Sequence, residues 1–201
     1  MMTTESTGAQ NFIPRPRKTF YHPNAKGTGT ALRLELHPAH EETDGSIFAT
    51  LAPQRSVTER AADGGVSFAS FDWTNAICLK LDLMDLAQML DVFHGLRESA
   101  GDGKGLFHRS ANATAVIRLE HNLEPVEGYL LDVSKKKTGE EAARRLHFFL
   151  KQTEARALSL LIEQALLFIA FGIPQVIPRR TAVKNREKTV PAQEMVSAVV
   201  G

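Results

Sequence analysis

The sequence predicts an α+β protein built from a duplicated unit of four strands followed by one helix. Three observations carry this prediction. The chain has 201 residues, of which 43% are hydrophobic and 23% charged, values typical of a globular protein with a sizeable core. Short segments alternate apolar and polar residues, as strands buried on one face do. The order strand-strand-strand-strand-helix then occurs in both halves, which indicates a duplicated small domain rather than a solenoid.

The first copy of the unit is predicted at residues 18–98. Its four strands are expected at residues 19–22, 30–37, 46–54 and 67–81. The fourth strand is expected to bend near Asp72 and Trp73. Asp82 should cap the helix that follows, with Asp85 in the reciprocal position three residues later. Helical spacing gives that helix an apolar face at Leu83, Leu86, Leu90 and Phe93.

The second copy is predicted at residues 104–173. Its strands are expected at residues 105–109, 114–121, 127–136 and 144–151. Thr153 should cap the long helix that follows, and Gly172 and Pro174 should end it. The apolar face of this helix is predicted at Leu158, Leu161, Ile162, Ala165, Phe168 and Ile169. The two copies are also similar in amino-acid sequence, as in Phe20-Tyr21-His22 and Leu106-Phe107-His108.

Charge is unevenly distributed along the chain. The formal net charge is +1, but residues 1–19 carry +2, residues 174–201 carry +3 and residues 20–173 carry −4. We predict a flexible basic arm at 1–17 and a flexible basic tail at 174–201, since prolines flank the body on both sides. These ends are either solvated tails or segments that reach along a polyanion. The near-zero total excludes a histone-like polycation.

The composition is typical of a protein from a reducing compartment. The single cysteine, Cys78, excludes a disulfide scaffold and a cysteine-rich zinc site. Residues 1–10 lack the layout of a secretion signal, and the most apolar stretch, 155–171, is interrupted by Arg156 and Glu163. We therefore expect no membrane span and a protein that is cytoplasmic, of a bacterial or phage type, or organellar, and not secreted.

Three stretches carry a resemblance to a known family. They are Lys26-Gly27-Thr28-Gly29-Thr30-Ala31-Leu32, Phe71-Asp72-Trp73 and Leu81-Asp82-Leu83-Met84-Asp85. With the element order over residues 18–173, they make the chain resemble the Whirly single-stranded-DNA-binding proteins. It is also similar to their structural relatives, the mitochondrial guide-RNA-binding proteins and the transcriptional positive coactivators. The family's Lys-Gly-Lys-Ala-Ala-Leu signature is only partly present, so the largest assemblies of the family are not implied.

The resemblance implies two antiparallel four-stranded sheets that project like blades from a helical core. It implies a homo-oligomer packed through its helices, with a tetramer favoured and a dimer as the alternative. Single-stranded DNA or RNA would run over the sheet surfaces with little sequence preference, DNA being favoured. We therefore expect a non-catalytic protein of replication, recombination, repair or transcription, with no cofactor and no metal.

Binding to a single strand requires cations for phosphates and exposed aromatic rings for bases. Strand alternation turns Arg33 and Arg118 outward and is expected to place Lys80 beside Arg33. The candidate nucleic-acid-binding residues are Lys26, Arg33, Lys80, Arg118, Lys135, Lys137, Tyr21, Trp73 and Phe107, with Phe48 and Phe71 as further aromatic candidates. Each has a structural alternative, because the arginines can pair with acids across strands, Trp73 can be buried and the lysines can belong to a solvated turn.

Two other classes of function are weighed against this one. A protein-interaction or structural scaffold that kept the fold without nucleic acid binding is favoured by the acidic body of the chain. An enzyme has little support, since Cys78 has no base nearby in sequence and residues 101–105 lack the spacing of a phosphate loop. The polar cluster around His37 and His40 lies in a turn without the helical two-histidine spacing of zinc peptidases.

Overall fold

The computed structural model describes residues 15–40 and 42–172. Seven strands precede the first helix: β1 (Arg17–His22), β2 (Thr30–His37), β3 (Ser46–Ser56), β4 (Glu59–Arg60), β5 (Val66–Ser67), β6 (Ser70–Phe71) and β7 (Ile77–Leu81), then α1 (Leu83–Phe93). Four more precede the second helix: β8 (Leu106–Arg109), β9 (Ala113–Asn122), β10 (Gly128–Lys137) and β11 (Arg144–Lys151), then α2 (Gln152–Phe171). The predicted α+β class is confirmed. The predicted tail and residues 1–14 of the predicted arm lie outside the described residues.

Two antiparallel sheets form the body of the molecule, and each is four strands wide. In the first sheet the order is β1-β2-β3, and β6 and β7 pair one after the other with the remaining edge of β3. In the second sheet the order is β11-β10-β9-β8. Strands β4 and β5 pair only with each other and form an exposed hairpin beyond β3. We call the part from β1 to α1 the first unit and the part from β8 to α2 the second unit.

The strand predicted at residues 67–81 is interrupted, and this corrects the sequence prediction. It is divided among β5, β6 and β7. The carboxylate of Asp72 accepts hydrogen bonds from the backbone and side-chain nitrogens of Asn75 at 3.1 and 2.7 Å, which fixes a turn between β6 and β7. The bend expected at Asp72 and Trp73 is therefore a complete break, in which Trp73 leaves the strand path.

The hydrophobic core lies between the inner faces of the two sheets and the two helices. Helix α1 packs against β7 and β9, and α2 packs against β2, β10 and β11, so each helix touches both sheets. The largest fully buried side chains come from both units: Leu32, Leu51, Leu81, Leu86, Val92, Ile117, Leu119, Phe148, Leu150, Leu158, Ile162 and Ile169. The two units therefore share one core, which holds the outer faces of the sheets in a fixed relation.

The two helices begin differently. In α1 the side chain of Asp82 accepts hydrogen bonds from the Met84 and Asp85 amides, and Asp85 accepts from the Asp82 amide, as predicted. Helix α2 instead begins at Gln152, directly after β11, so the predicted cap Thr153 lies inside its first turn. The carboxylate of Glu154 accepts a hydrogen bond from the Lys151 amide at 3.0 Å, and this bond fixes the start of α2 at Gln152.

The buried face of α2 differs from the predicted one at two positions. Leu161 is 46% exposed and Phe168 is half-buried, whereas Ala155 and Ser159 are buried. The face that packs on the sheets is thus rotated towards smaller side chains, because the helix lies close to two sheets at once. No helix among the described residues is long and apolar enough to cross a membrane.

Candidate nucleic-acid interface

The first open face is the side of the first sheet that points away from the core. It consists of Arg17, Thr19, Tyr21, Arg33, Glu35, Phe48, Thr50, Cys78 and Lys80. Cross-strand pairing arranges most of these residues in two rows, Thr19–Arg33–Thr50–Cys78 and Arg17–Glu35–Phe48–Lys80. The alternate residues of the same strands, such as Leu32 and Leu79, are buried. The face contains three basic residues and one acidic residue, although the body of the chain as a whole is acidic.

Arg33 and Trp73 are stacked on the first open face. The guanidinium carbon of Arg33 lies 3.7 Å from the centre of the Trp73 ring, and both side chains are half-buried. Such a stack contributes ~0.5–2 kcal/mol and confines a long side chain to one position. Among the described residues no ion pair includes Arg33, so its charge is not neutralised by a carboxylate within ion-pair distance. The structural alternative of a cross-strand pair with an acid is therefore not seen for Arg33.

Further aromatic rings lie around this stack. The ring of Tyr21, which is 56% exposed, lies 5.5 Å from that of Phe71, on the strand that leads to Trp73. Phe48 lies in the row next to Arg33, with its ring 4.3 Å from that of His37. The face thus places cations and aromatic rings side by side, which is the combination that sequence-tolerant binding of a single strand requires.

Lys26 lies in the turn between β1 and β2, at one end of the first open face. The side chain of Asn24 accepts hydrogen bonds from the Lys26 and Thr28 amides at 3.0 and 3.1 Å. The buried Gln54 side chain accepts from the Asn24 and Gly29 amides at 2.9 and 3.0 Å. The backbone of the turn is therefore fixed, while the side chain of Lys26 is exposed.

Lys80 is also on the first open face, but it is not beside Arg33 as expected. Its partner across the strands is Phe48, while Cys78 is the residue aligned with Thr50 and Arg33. Strand β3 lies between β2 and β7, so Lys80 is two strands and one row away from Arg33. The alternation of β7 was predicted correctly, but the register between strands was not accessible from the sequence.

The second open face is the outer side of the second sheet. It consists of Phe107, Arg109, Val116, Arg118, Glu120, Leu130, Asp132, Ser134, Lys136, Arg145, His147 and Phe149. Phe107 is 66% exposed on the edge strand β8. Arg118 is directly opposite Asp132, with 4.0 Å between its Nη1 and the carboxylate Oδ2. The cross-strand pair is therefore present here, at a distance where a surface pair contributes ~0–1 kcal/mol.

The run of three lysines at the end of β10 is divided between the two sides of the sheet. Lys136 is on the second open face, whereas Lys135 and Lys137 are on the side that continues the buried residues Leu131 and Val133. The ammonium of Lys135 donates to the carbonyl oxygen of Cys78 at 2.6 Å and so joins the two sheets. Lys137 is exposed, with its Nζ 3.9 Å from the Glu140 carboxylate.

Three basic residues and one phenylalanine of the second open face were not among the predicted site residues. They are Arg109, Lys136, Arg145 and Phe149. Phe149 lies over Gly128, where an added Cβ would come within 2.6 Å of its ring. The alternation from the buried Phe148 was the available signal, because it turns residues 145, 147 and 149 outward.

Among the described residues, those considered for metal binding do not form a metal site. No group of three or more histidine, cysteine, aspartate or glutamate side chains in the described ranges could hold a metal ion. His37 Nε2 lies 2.9 Å from Glu35 Oε1, on the sheet rather than in a metal-like cluster. Near Trp73, the hydrogen bonds from Asn75 lower the pKa of the Asp72 carboxyl group. These interactions are structural.

Comparison with known proteins identifies the fold. No protein-family model and no curated protein matches the sequence. WHY1 from Arabidopsis thaliana matches in structure with a TM-score of 0.63 and 15% identity, over 79% of this chain and 87% of that one. The plant transcriptional regulator PBF-2 matches with 0.55 and 13%, over 78% and 84%. Trypanosoma brucei MRP1/MRP2 match with 0.50 and 16%, over 76% and 92%. The expected likeness to Whirly proteins is therefore confirmed for the fold.

Proposed function

We propose that this chain is a non-catalytic protein that binds single-stranded nucleic acid across its two open faces, with little sequence preference and with DNA favoured over RNA. The observation that carries the proposal is the Arg33–Trp73 stack, a cation with no carboxylate partner among the described residues, held on an aromatic ring on an open sheet face. Phosphates would contact the cations, and bases would stack on the aromatic rings, each stack contributing ~1–3 kcal/mol.

The distribution of charge supports this proposal over a scaffold. An acidic outer face would favour the scaffold, since nucleic acid is a polyanion. Both open faces instead contain more basic than acidic residues, and the excess of acid in residues 20–173 is located elsewhere. The charged pair Arg118–Asp132 favours the scaffold, because a paired arginine is less available to phosphate.

The fold gives independent support. PBF-2, which shares the fold, is described as a plant transcriptional regulator, and the sequence resembles single-stranded-DNA-binding proteins. We further propose a role in replication, recombination, repair or transcription, and a location in the cytoplasm or an organelle. The proposed contacts at the open faces are Lys26, Arg33, Lys80, Arg118, Tyr21, Trp73 and Phe107, and Lys137, exposed at the end of β10 on the other side of the sheet, is a proposed contact at its edge. Lys135 would support binding indirectly, because its ammonium donates to the Cys78 carbonyl oxygen and joins the two sheets.

A homo-oligomer is part of the proposal. The side of α2 that faces away from the core exposes four large apolar residues at helical spacing, Leu160, Leu161, Leu167 and Phe171. Leu83 and Met84 of α1 are exposed as well. Apolar residues in such number at one helix surface are typical of an interface between proteins. Packing through the helices leaves the open faces free, and a tetramer is favoured over a dimer.

Fluorescence anisotropy with labelled oligonucleotides tests the proposal. We expect saturable binding of single-stranded DNA of about 30 nucleotides at low salt, with an affinity that falls steeply as salt rises because phosphate contacts release counterions. Single-stranded RNA of the same sequence and duplex DNA are the comparison ligands, and both should bind more weakly. Absence of binding at low salt, or an affinity that salt does not change, would refute the proposal and favour the scaffold.

A further inference from the structure

Two histidine–carboxylate pairs each connect a strand of one unit to the helix of the other unit. His22, the last residue of β1, has its Nε2 2.7 Å from Oε1 of Glu154 in α2. His108 in β8 has its Nε2 3.2 Å from Oδ2 of Asp85 in α1, within ion-pair distance but without hydrogen-bond alignment. In each pair the histidine belongs to the first strand of one unit and the carboxylate to the helix of the other.

The two pairs are equivalent in sequence as well as in position. His22 and His108 end the matching stretches Phe20-Tyr21-His22 and Leu106-Phe107-His108. Glu154 and Asp85 occupy the same place in their helices, the third residue, and each also accepts the amide hydrogen of its helix cap. One carboxylate therefore fixes a helix start and a strand of the other unit at the same time. The arrangement occurs twice: β1 of the first unit is joined to α2, and β8 of the second unit is joined to α1.

Each histidine directly follows an aromatic residue of an open face. Tyr21 precedes His22 and Phe107 precedes His108, and successive residues of a strand point to opposite sides. The strands concerned, β1 and β8, are edge strands that pair with one neighbour each, β2 and β9. An edge strand has few other fixed contacts, so a side-chain bond on its inner side restricts where its outer side chains lie.

We propose that His22 and His108 are positioning residues, which hold the two edge strands so that Tyr21 and Phe107 are correctly placed to stack on bases. The inference rests on the proposed function. Both histidines are about three-quarters buried, with side-chain exposures of 27% and 28%, so they do not themselves offer a ring to the nucleic acid. The His22 ring is also stacked on Phe148 at 4.3 Å, which ties β1 to the core.

The test uses substitutions in the full chain and two measurements on each variant. H22A and H108A should weaken binding of single-stranded DNA by about fivefold or more each, the loss of one base stack, and leave the slope of affinity against salt unchanged because no phosphate contact is removed. H22Q should restore most of the affinity, since the glutamine amide can donate to Glu154. E154A should reproduce H22A, and the double variant H22A/E154A should lose no more than either single one.

A third histidine–carboxylate pair provides the matched control. His94, the residue after α1, has its Nε2 2.9 Å from Oε1 of Glu163 in α2, so this pair also joins the two units, but without an edge strand. H94A should therefore leave the affinity unchanged. Hydrogen exchange of the free proteins is the second measurement, and the amides of β1 should exchange faster in H22A than in wild type or H22Q.

The outcomes separate the positioning role from the proposed function. If the wild type binds and H22A and H108A bind equally well, or if H94A is as weak as they are, the positioning role is overturned. If the wild type itself does not bind, the proposed function fails and the positioning role fails with it. Faster exchange in H22A would then show that the contact holds β1 without serving a ligand.

Discussion

Arg33 combines a charge available to solvent with a fixed position, and the two properties can be separated by substitution. R33A removes both the charge and the stack on Trp73, which lies 3.7 Å away. R33K keeps the charge but not the planar contact. We expect R33A to lower the affinity for single-stranded DNA and to reduce the salt slope by about one, and R33K to lower the affinity while keeping the slope. Anisotropy titrations at several salt concentrations measure both quantities.

Arg97 is the matched control for this pair of variants. It lies beyond α1 and forms ion pairs with Asp91 and Asp102 at 3.3 and 2.8 Å, away from both open faces. R97A removes the same charge from the chain, and its salt slope should equal that of the wild type. An equal loss of slope in R97A and R33A would mean that total charge, and not the first open face, determines binding.

Trp73 is the only tryptophan of the chain, so its fluorescence reports on one place. Because the ring is half-buried on the first open face, a nucleic acid that covers this face should change its environment. We expect quenching on addition of single-stranded DNA, saturating at the same concentration as the anisotropy signal and reversed by salt. W73F should bind more weakly, since it removes the indole beneath Arg33. Saturable binding without any change in Trp73 emission would exclude this face from the site.

At the residue scale, the sequence predicted the side of a sheet that a side chain faces better than it predicted the residues that the side chain contacts. Alternation correctly turned Arg33 and Lys80 outward, because each strand buries every second side chain. It could not predict that Arg33 stacks on Trp73, since the two are brought together by a turn that only the folded chain fixes. Lys135 shows the opposite case, because alternation does predict the side of the sheet on which it lies. Counting from Leu131 and Val133 places it on the inner side.

At the element scale, Asp85 links the start of α1 to the second unit. Burial raises the pKa of its carboxyl group, while the Asp82 amide and the positive charge of His108 act in the opposite direction. Since the folded pKa lies above the unfolded one, the ionised carboxylate costs stability at neutral pH. That cost disappears as the pH falls through the folded pKa towards the unfolded value.

D85N is therefore expected to change the pH dependence of stability. The amide oxygen of Asn can still accept the Asp82 amide hydrogen, so the helix start is kept. The free energy of unfolding of the wild type, relative to D85N, should rise as the pH is lowered from about 7 to about 4. Urea unfolding at a series of pH values measures it. A relative stability that stays constant or falls would contradict the raised pKa.

The variant H108Q separates the effect of burial on the pKa of Asp85 from the effect of His108. Without the imidazolium charge, the pKa of Asp85 should rise further, because His108 is one of the groups that lower it. The free energy of unfolding of H108Q, relative to H108Q/D85N, should rise as the pH is lowered. This rise should occur at a higher pH than the rise for the wild type relative to D85N. An unchanged range would mean that the 3.2 Å contact between the two side chains does not act electrostatically.

The elements also show where sequence prediction stops. The capping pair Asp82 and Asp85 was predictable, because both partners lie three residues apart in one segment. The start of α2 at Gln152 was not, since β11 runs directly into the helix without a loop and Thr153 is the more usual cap residue. The break before β7 had a signal in Asp72 and Asn75, two turn-forming residues, but the apolar residues around them favoured a continuous strand.

At the scale of the whole molecule, α2 has apolar residues on two sides, and the described part of the chain covers one of them. One side packs on the sheets through Leu158, Ile162 and Ile169, while the other exposes the four residues Leu160, Leu161, Leu167 and Phe171. The sequence predicted Leu161 in the core because a helix with apolar residues nearly all round does not reveal which side meets its own chain. The exposed side is the reason to expect a second copy of the protein there.

The doubly substituted chain L160E/L167E tests this assembly. Two carboxylates at an apolar interface would have to be desolvated without partners, whereas on a free monomer they would be well hydrated. We expect light scattering coupled to size exclusion to give a multiple of 22.1 kDa for the wild type and the monomer mass for L160E/L167E, with far-UV circular dichroism unchanged. L96E is the matched control, since Leu96 is 72% exposed but lies outside α2, and it should keep the wild-type mass. If all three proteins are monomers, the exposed side of α2 is not an interface between copies, and the binding of nucleic acid must be explained by a single chain with its two open faces.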